Sequence, residues 1–66
     1  MKNVLKEERL EKQLTQVHLA ELVNVSRQTI ISIETNRYMP SVVLCLKLAR
    51  ALGKKVEDIF LLEDLD

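Results

Sequence analysis

The stretch VSRQTIISIETNRY, residues 25–38, mixes hydrogen-bonding and aliphatic side chains in a helix-compatible order. On a helix, Ile30 and Ile33 would mark the buried side, and the opposite side would be polar. Glutamine can pair with two edge atoms of adenine, arginine with two of guanine, and an aliphatic group can contact the thymine methyl. The outward residues able to make such contacts are Arg27, Gln28, Ile31 and Ser32.

Such a face is either simply solvated or a surface that reads a partner. Solvated faces are usually rich in Lys and Glu, whereas this one carries Gln, Thr, Ser and Ile. The chain has no net charge overall, but residues 1–56 carry +5 and residues 57–66 carry −5. A basic body with an acidic tail suits a polyanionic partner, although small proteins also acquire uneven charge by chance. The residue types therefore favour recognition.

Hydroxyl caps and two breakers, Pro40 and Gly53, divide the chain into short helices. The predicted helices cover residues 3–12, 16–23, 27–35, 42–52 and 56–61. The predicted N-caps are Asn3, Thr15, Ser26 and Ser41. No β-type alternation requires a sheet. We therefore expect an all-α fold of five short helices in one domain over residues 1–66.

An aliphatic core is predicted, because Tyr38 and Phe60 are the only aromatic residues. Helices 2 and 3 are separated by a short turn, as in a helix-turn-helix. The core predicted between them consists of Leu19, Ala20, Leu22, Val25, Ile30 and Ile33. On helix 4, apolar residues at three- and four-residue spacing predict one buried stripe. That stripe consists of Val42, Cys45, Leu48, Ala49 and Leu52.

Apolar residues near the C-terminus exceed what one small core needs. A chain of this length buries only about 60% of its unfolded surface, and dimerisation is a common remedy. We predict a symmetric dimer interface formed by Val43, Leu46, Phe60, Leu61 and Leu62. The alternative is that these residues wrap over their own core.

The sequence offers little for catalysis or metal binding. His18 has no partner at ligand spacing, and Cys45 is expected to be a small buried hydrophobe. There is no nucleophile–base pair and no phosphate-binding glycine loop, so neither an enzyme nor a cofactor is predicted. A single cysteine, no signal-peptide core and no membrane-spanning run predict a cytoplasmic protein.

The motifs TQxxLAxL, VSRQTIxxIE, NRYxPS, LKLAxxL and EDIF occur in this order along nearly the whole chain. In this respect the sequence resembles the Cro/C1-type (XRE-type) helix-turn-helix family of phage repressors, especially its small stand-alone members. The resemblance implies a lambda-repressor-like domain with helices 2 and 3 as the helix-turn-helix. It also implies a nucleoid-associated transcriptional regulator, by default a repressor, that binds a near-palindromic operator in double-stranded DNA as a homodimer.

The resemblance assigns roles to matching residues. It implies a structural salt bridge between Arg9 and Glu34. It implies base contacts by Arg27, Gln28, Thr29, Ile31 and Ser32. It implies DNA phosphate contacts by Gln16, Asn36, Arg37 and Tyr38, and it places Arg27 beside Gln16 in space. The chain departs from the family pattern at Glu8, Val17 and His18.

A second function remains open at this point. A protein-interaction module of the same fold, such as an antitoxin or anti-repressor, would use the apolar tail to bind a protein partner. Binding to a native protein partner would separate this function from a simple homodimer.

Overall fold

The computed structural model describes every residue from Met1 to Asp66 and contains five helices and two short strands. In chain order these are β1 (Lys2–Asn3), α1 (Leu5–Glu11), α2 (Gln16–Leu22), α3 (Arg27–Glu34), α4 (Val42–Leu52), α5 (Val56–Ile59) and β2 (Phe60–Leu61). The predicted five helices are confirmed. The starts of α2, α3, α4 and α5 and the end of α4 match the prediction, and α1, α2 and α3 each end one residue earlier than predicted.

The ends of the chain form a small antiparallel sheet, which corrects the prediction of a fold without strands. β1 pairs with β2 in a register that places Lys2 opposite Leu61 and Asn3 opposite Phe60. Strands of two residues contain too little alternation for a sequence analysis to detect. The sheet brings both terminal segments onto the helical body.

The sheet also explains the two largest differences from the predicted helix bounds, at the start of α1 and the end of α5. α1 begins at Leu5 rather than at residue 3, because Asn3 belongs to β1 and Val4 is the N-cap. Asn3 still supports the helix start, since its Oδ1 accepts a hydrogen bond from the Leu5 N–H at 3.1 Å. α5 ends at Ile59 rather than at residue 61, because residues 60–61 form β2.

Hydroxyl side chains begin the three central helices, as predicted. Each hydroxyl oxygen accepts a hydrogen bond from the backbone N–H three residues later, at 3.0 to 3.2 Å. The three N-caps are Thr15, Ser26 and Ser41. Each bond satisfies a donor that the first helical turn leaves unpaired, which is worth about 1 kcal/mol.

Four helices end in the same left-handed turn. The residues in this conformation, with φ between 59° and 65°, are Gln13, Asn24, Asn36 and Gly53. In each turn, that residue donates to the carbonyl three positions earlier, and the next residue donates to the carbonyl five earlier. This Schellman pattern satisfies the last carbonyls and turns the chain sharply toward the next helix. Only the Gly53 turn was predicted, because glycine is the one unambiguous signal for it.

One aliphatic cluster lies between all five helices. Its fully buried large side chains are Leu5, Leu19, Ile30, Ile33, Leu48, Leu52 and Ile59. Burial of each such side chain stabilises the fold by about 1.5–3 kcal/mol. α3 is therefore fixed by Ile30 and Ile33, which leaves its opposite side in solvent.

Two residues that were predicted to be in the core are exposed. Leu22 is 54% exposed, because α2 faces the core through Leu19 and Ala20, followed by Val23 at its C-cap. Val42 is 74% exposed at the first position of α4, whose buried stripe starts at Leu44 instead. Both errors arise because an apolar residue beside a helical stripe matches its spacing nearly as well as one within it.

Candidate nucleic-acid interface

α2 and α3 pack against each other and are joined by a turn of residues 23–26. The buried side of α3 lies on the core, so its first turn projects from the surface of the protein. Arg27 and Gln28 are both exposed there. The structure thus forms the two-helix unit predicted from the sequence, with α3 as the outward helix.

The side chains of Arg27 and Gln28 have unused hydrogen-bonding atoms. None of the internal side-chain hydrogen bonds involves the Gln28 amide, so its carbonyl and amino groups both face solvent. Arg27 uses only Nε, which donates to Gln16 Oε1 at 3.3 Å. Its two Nη groups have no protein partner. These are the atom pairs that can form bidentate contacts with base edges.

The remaining predicted base contacts are more enclosed. Thr29, Ile31 and Ser32 are half-buried, and the Thr29 hydroxyl lies 3.0 Å from the Ser26 hydroxyl. An open cleft of about 410 Å³ runs along this side of α3. It is lined by Val25, Ser26, Gln28, Thr29, Ser32, Tyr38 and Leu44. The structure therefore places three predicted base contacts and one predicted phosphate contact on one concave surface.

The loop after α3 presents Asn36, Arg37 and Tyr38, all exposed. Asn36 is the left-handed residue that ends α3, and the Arg37 N–H donates to Ser32 O at 2.8 Å. The Arg37 guanidinium has no ion-pair partner in the protein. These backbone bonds hold the three predicted phosphate contacts beside the exposed face of α3.

Asn3 supports this loop, a role that sequence reasoning missed. Its Nδ2 donates to Ile33 O at 3.0 Å and to Asn36 Oδ1 at 3.1 Å. The β1 strand thereby fixes the C-terminal end of α3. A cap-like asparagine near a chain end is the only sequence signal, and it does not reveal a partner 30 residues away.

Arg9 and Glu34 form an ion pair between α1 and α3. Arg9 Nε lies 2.7 Å from Glu34 Oε2, and Arg9 Nη2 lies 3.3 Å from Glu34 Oε1. The two side chains are only 7% and 3% exposed. Arg9 Nη1 also donates to Leu14 O at 2.9 Å. The pair therefore connects α1, the turn before α2, and the end of α3.

Gln16, predicted to contact a phosphate, occupies a bridging position in the free protein. Its Nε2 donates to Glu34 Oε1 at 3.2 Å, and its Oε1 accepts from Arg27 Nε. One of its two amide N–H groups remains available for a phosphate. Four side chains thus form a continuous hydrogen-bonded series from α1 to the front of α3, which we call the Arg9–Arg27 series. Its members are Arg9, Glu34, Gln16 and Arg27.

The charge of this region is positive. Residues 22–56 contain six basic residues and one acid, and that acid is Glu34. Because Glu34 is paired with Arg9, no free carboxylate from this segment opposes a polyanion. The exposed guanidinium groups of Arg27 and Arg37 lie at the two ends of α3. Such a field attracts phosphate groups at long range.

Cys45 and His18 are the only cysteine and the only histidine in the chain. Cys45 is half-buried rather than buried; burial raises the pKa of its thiol, and its Sγ lies 3.8 Å from Pro40 O. His18 is exposed on α2. No three His, Cys, Asp or Glu side chains are grouped as metal ligands. No helix is long and apolar enough to cross a membrane.

A second surface lies on α4 and is apolar. We call Val42, Val43 and Leu46 the α4 apolar surface; these side chains are 74%, 62% and 56% exposed. Of the other predicted interface residues, Leu62 is 82% exposed and Leu61 is half-buried. Phe60 corrects the prediction, because its side chain is 7% exposed and packs within the core of its own chain.

A helix-turn-helix family model matches residues 5–59 of the chain. An uncharacterized HTH-type transcriptional regulator of Methanothermobacter thermautotrophicus is 51% identical over 65 residues, covering 97% of this chain and 94% of the relative. The immunity repressor protein of Bacillus phage phi105 is 47% identical over 51 residues, covering 77% of this chain and 35% of the repressor.

Solved structures show the same arrangement of helices. The restriction-modification controller protein C.AhdI from Aeromonas hydrophila superposes with a TM-score of 0.80 at 36% identity, and the match covers 85% of each chain. The clp gene regulator ClgR from Corynebacterium glutamicum gives a TM-score of 0.78 at 33% identity, covering 82% of this chain and 57% of the other. These similarities confirm the predicted fold class.

Proposed function

This chain belongs to the Cro/C1-type (XRE-type) helix-turn-helix family of DNA-binding transcriptional regulators, and we propose that it is a repressor that binds a near-palindromic operator as a homodimer. Binding to an operator that overlaps a promoter excludes polymerase without any catalytic step. The proposal therefore requires only two surfaces, one for DNA and one for a second copy.

The observation that carries the DNA-binding mode is the free hydrogen-bonding capacity at the front of α3. The Gln28 amide and both Arg27 Nη groups are exposed and have no protein partner. The first turn of a helix placed in the major groove is where side chains reach base edges. We assign Gln28 to an adenine and Arg27 to a guanine, with Ile31 and Ser32 beside them.

Phosphate contacts would orient the protein on the duplex. Arg37 and Tyr38 lie in the exposed loop after α3, and Gln16 lies beside Arg27 at the start of α2. The free amide groups of Asn36 and Gln16 can donate to phosphate oxygens. Contacts of this kind set the register of α3 in the groove without carrying sequence information.

The homodimer is supported by the α4 apolar surface. Three large aliphatic side chains there are more than half exposed, and Leu62 is exposed on the C-terminal segment. If a second copy of the chain covers these residues, each Å² of apolar surface removed from water stabilises the dimer by about 25 cal/mol. In a two-fold dimer, the two α3 helices would meet successive major grooves about 34 Å apart.

Selection from a random duplex library with purified protein tests the DNA-binding mode. We expect an inverted repeat whose half-sites are about 10 base pairs apart, centre to centre. The same selection with Gln28→Ala should lose the preference at one base pair in each half-site. Failure of the unaltered protein to enrich any sequence would contradict the proposal.

Sedimentation of two matched variants tests the homodimer. Leu46 on α4 and Leu10 on α1 are 56% and 55% exposed, so Leu→Glu adds the same charge at equal exposure. We expect Leu46→Glu to produce monomers at concentrations where Leu10→Glu and the unaltered chain remain dimers. Equal behaviour of both variants would remove the α4 apolar surface from the interface.

Sedimentation and library selection with the unaltered chain distinguish the protein-interaction module from the regulator. The interaction module would use the α4 apolar surface for a different protein, and the isolated chain would then sediment as a monomer at every concentration. That result, together with an absence of sequence enrichment, would favour the interaction module over the regulator.

A further inference from the structure

The Arg9–Arg27 series joins the buried ion pair to a proposed base-reading side chain. The Glu34 side chain is 3% exposed, and its carboxylate accepts hydrogen bonds from Arg9 and Gln16. Gln16 in turn is the only side chain that holds Arg27. The series therefore connects Glu34, at the C-terminal end of α3, to Arg27, at its N-terminal end.

The order of donors and acceptors fixes the orientation of the Gln16 amide. The Glu34 carboxylate can only accept, so it requires the Nε2 side of that amide. Oε1 must then point the other way, toward Arg27, whose guanidinium can only donate. A rotated amide would face its oxygen to a carboxylate and its N–H groups to a cation. Both contacts would be repulsive.

The contact with Gln16 also selects which edge of Arg27 is free. Nε is engaged at 3.3 Å, so a side-on contact through Nε and one Nη is already occupied. The two Nη groups form the end-on fork and remain unpaired. Guanine O6 and N7 accept such a fork, whereas adenine replaces the O6 acceptor with a donor.

We propose that Glu34 is a positioning residue for base recognition. Acting through the Gln16 amide, it holds Arg27 so that the Nη1–Nη2 fork faces the groove, and this sets a guanine preference at the base pair that Arg27 meets. The inference rests on the proposed DNA-binding function and deepens it. Glu34 thus serves both the stability of the fold, through Arg9, and the specificity of the interface.

Glu34→Gln is the direct test, because it keeps the shape of the side chain but replaces a carboxylate, which only accepts hydrogen bonds, with an amide, which also donates them. An amide at this position can donate to Gln16 Oε1, so the amide of Gln16 is no longer forced toward Arg27. We expect guanine preference at the Arg27 base pair to fall about 3- to 10-fold, while preference at the Gln28 base pair changes by less than about twofold. The Arg27 base pair is identified as the one whose preference Arg27→Ala abolishes.

A second test variant, Gln16→Met, serves if Glu34→Gln does not fold, and Glu21→Gln is the matched control. Gln16→Met removes the bridging amide and leaves the Arg9–Glu34 pair intact. It should lower affinity for all sequences and also lower guanine preference at the same base pair. Glu21→Gln, on the exposed side of α2, removes the same charge without touching the series and should change neither.

A double variant separates positioning from a general structural role. In an Arg27→Ala background, Glu34→Gln should have no further effect on preference at that base pair, since the side chain it positions is gone. If Glu34→Gln and Gln16→Met weaken all base pairs equally, or leave guanine preference intact, the inference is overturned. That outcome leaves the proposed function standing, whereas no enrichment by the unaltered chain would remove the function itself.

Discussion

α3 and α4 are built alike on the inside and differ on the outside. Both begin at a serine cap, both end in a left-handed turn, and both bury one aliphatic stripe. The outer face of α3 carries Arg27 and Gln28 with free hydrogen-bonding groups, whereas α4 exposes Val42, Val43 and Leu46. The buried stripes hold both helices on the core, and we propose that the outer faces bind different partners: DNA for α3 and a second copy of the chain for α4.

The two helices are also anchored differently. α4 is held by aliphatic contacts through Leu44, Leu48 and Leu52. α3 has the additional ion pair of Glu34 with Arg9 at its C-terminal end. A buried charged pair tolerates loss of one partner poorly, because the other is left uncompensated. α3 is therefore more sensitive to a single polar substitution than α4.

The largest predicted effect concerns this anchor. Arg9→Met leaves Glu34 buried without a partner and should lower the free energy of unfolding by about 3–5 kcal/mol. Arg50→Met, at an exposed position on α4, should cost about 0.5 kcal/mol or less. Denaturant unfolding followed by circular dichroism measures both. Similar losses for the two variants would show that α3 and α4 are anchored alike.

The next effect concerns base recognition by α3. Gln28→Ala should weaken operator binding by about 1–3 kcal/mol and relax the preference at one base pair per half-site. Because Gln28 is exposed and makes no internal bond, its loss should leave the melting temperature unchanged. Fluorescence anisotropy with operators altered one base pair at a time provides the measurement. A uniform loss over all operators would reassign Gln28 to backbone contact.

A smaller effect distinguishes phosphate contact from base contact. Arg37→Ala should lower affinity for every sequence alike and reduce the salt slope of binding by about 1. Arg50→Ala removes the same exposed group from α4 and should leave the slope unchanged. Titrations at several salt concentrations test this. If both variants alter the slope equally, DNA contacts extend to α4.

The smallest effect concerns the turns that end the two helices. Gly53 ends α4 with φ +65°, and a Cβ there would meet nothing closer than Lys12 Nζ at 4.0 Å. Gly53→Ala should therefore cost only the backbone strain, about 1 kcal/mol. Gly53→Asn should cost less, since asparagine occupies the equivalent position after α3 at Asn36. Equal thermal shifts for both variants would contradict this explanation.

Local signals in the sequence predicted much of the architecture. Three hydroxyl caps and Gly53 specified where the helices begin and end, and helical spacing separated Ile30 and Ile33 from the outward residues of α3. The misses depend on contacts between distant residues. The β1–β2 pairing joins the two chain ends, and the exposure of Leu22 depends on how α2 is rotated against its neighbours.

The sequence predicted which residues belong to the candidate site, but it did not predict all of the hydrogen bonds between them. The resemblance placed Arg27 beside Gln16, which the structure confirms, but it assigned Glu34 to architecture alone and did not connect it to Gln16. The structure joins the three residues by hydrogen bonds at 3.2 and 3.3 Å. Spacing along the sequence does not reveal this connection, because it requires α2 and α3 to be packed and the Gln16 amide to be oriented.

Parallel library selections with the unaltered chain and Leu46→Glu test most directly the claim that the two outer faces have separate partners. The unaltered chain should enrich an inverted repeat of two half-sites about 10 base pairs apart. Leu46→Glu should enrich a single copy of the same half-site, because α3 is intact while pairing is lost. Enrichment of the full repeat by Leu46→Glu, or of a different half-site sequence, would contradict the claim.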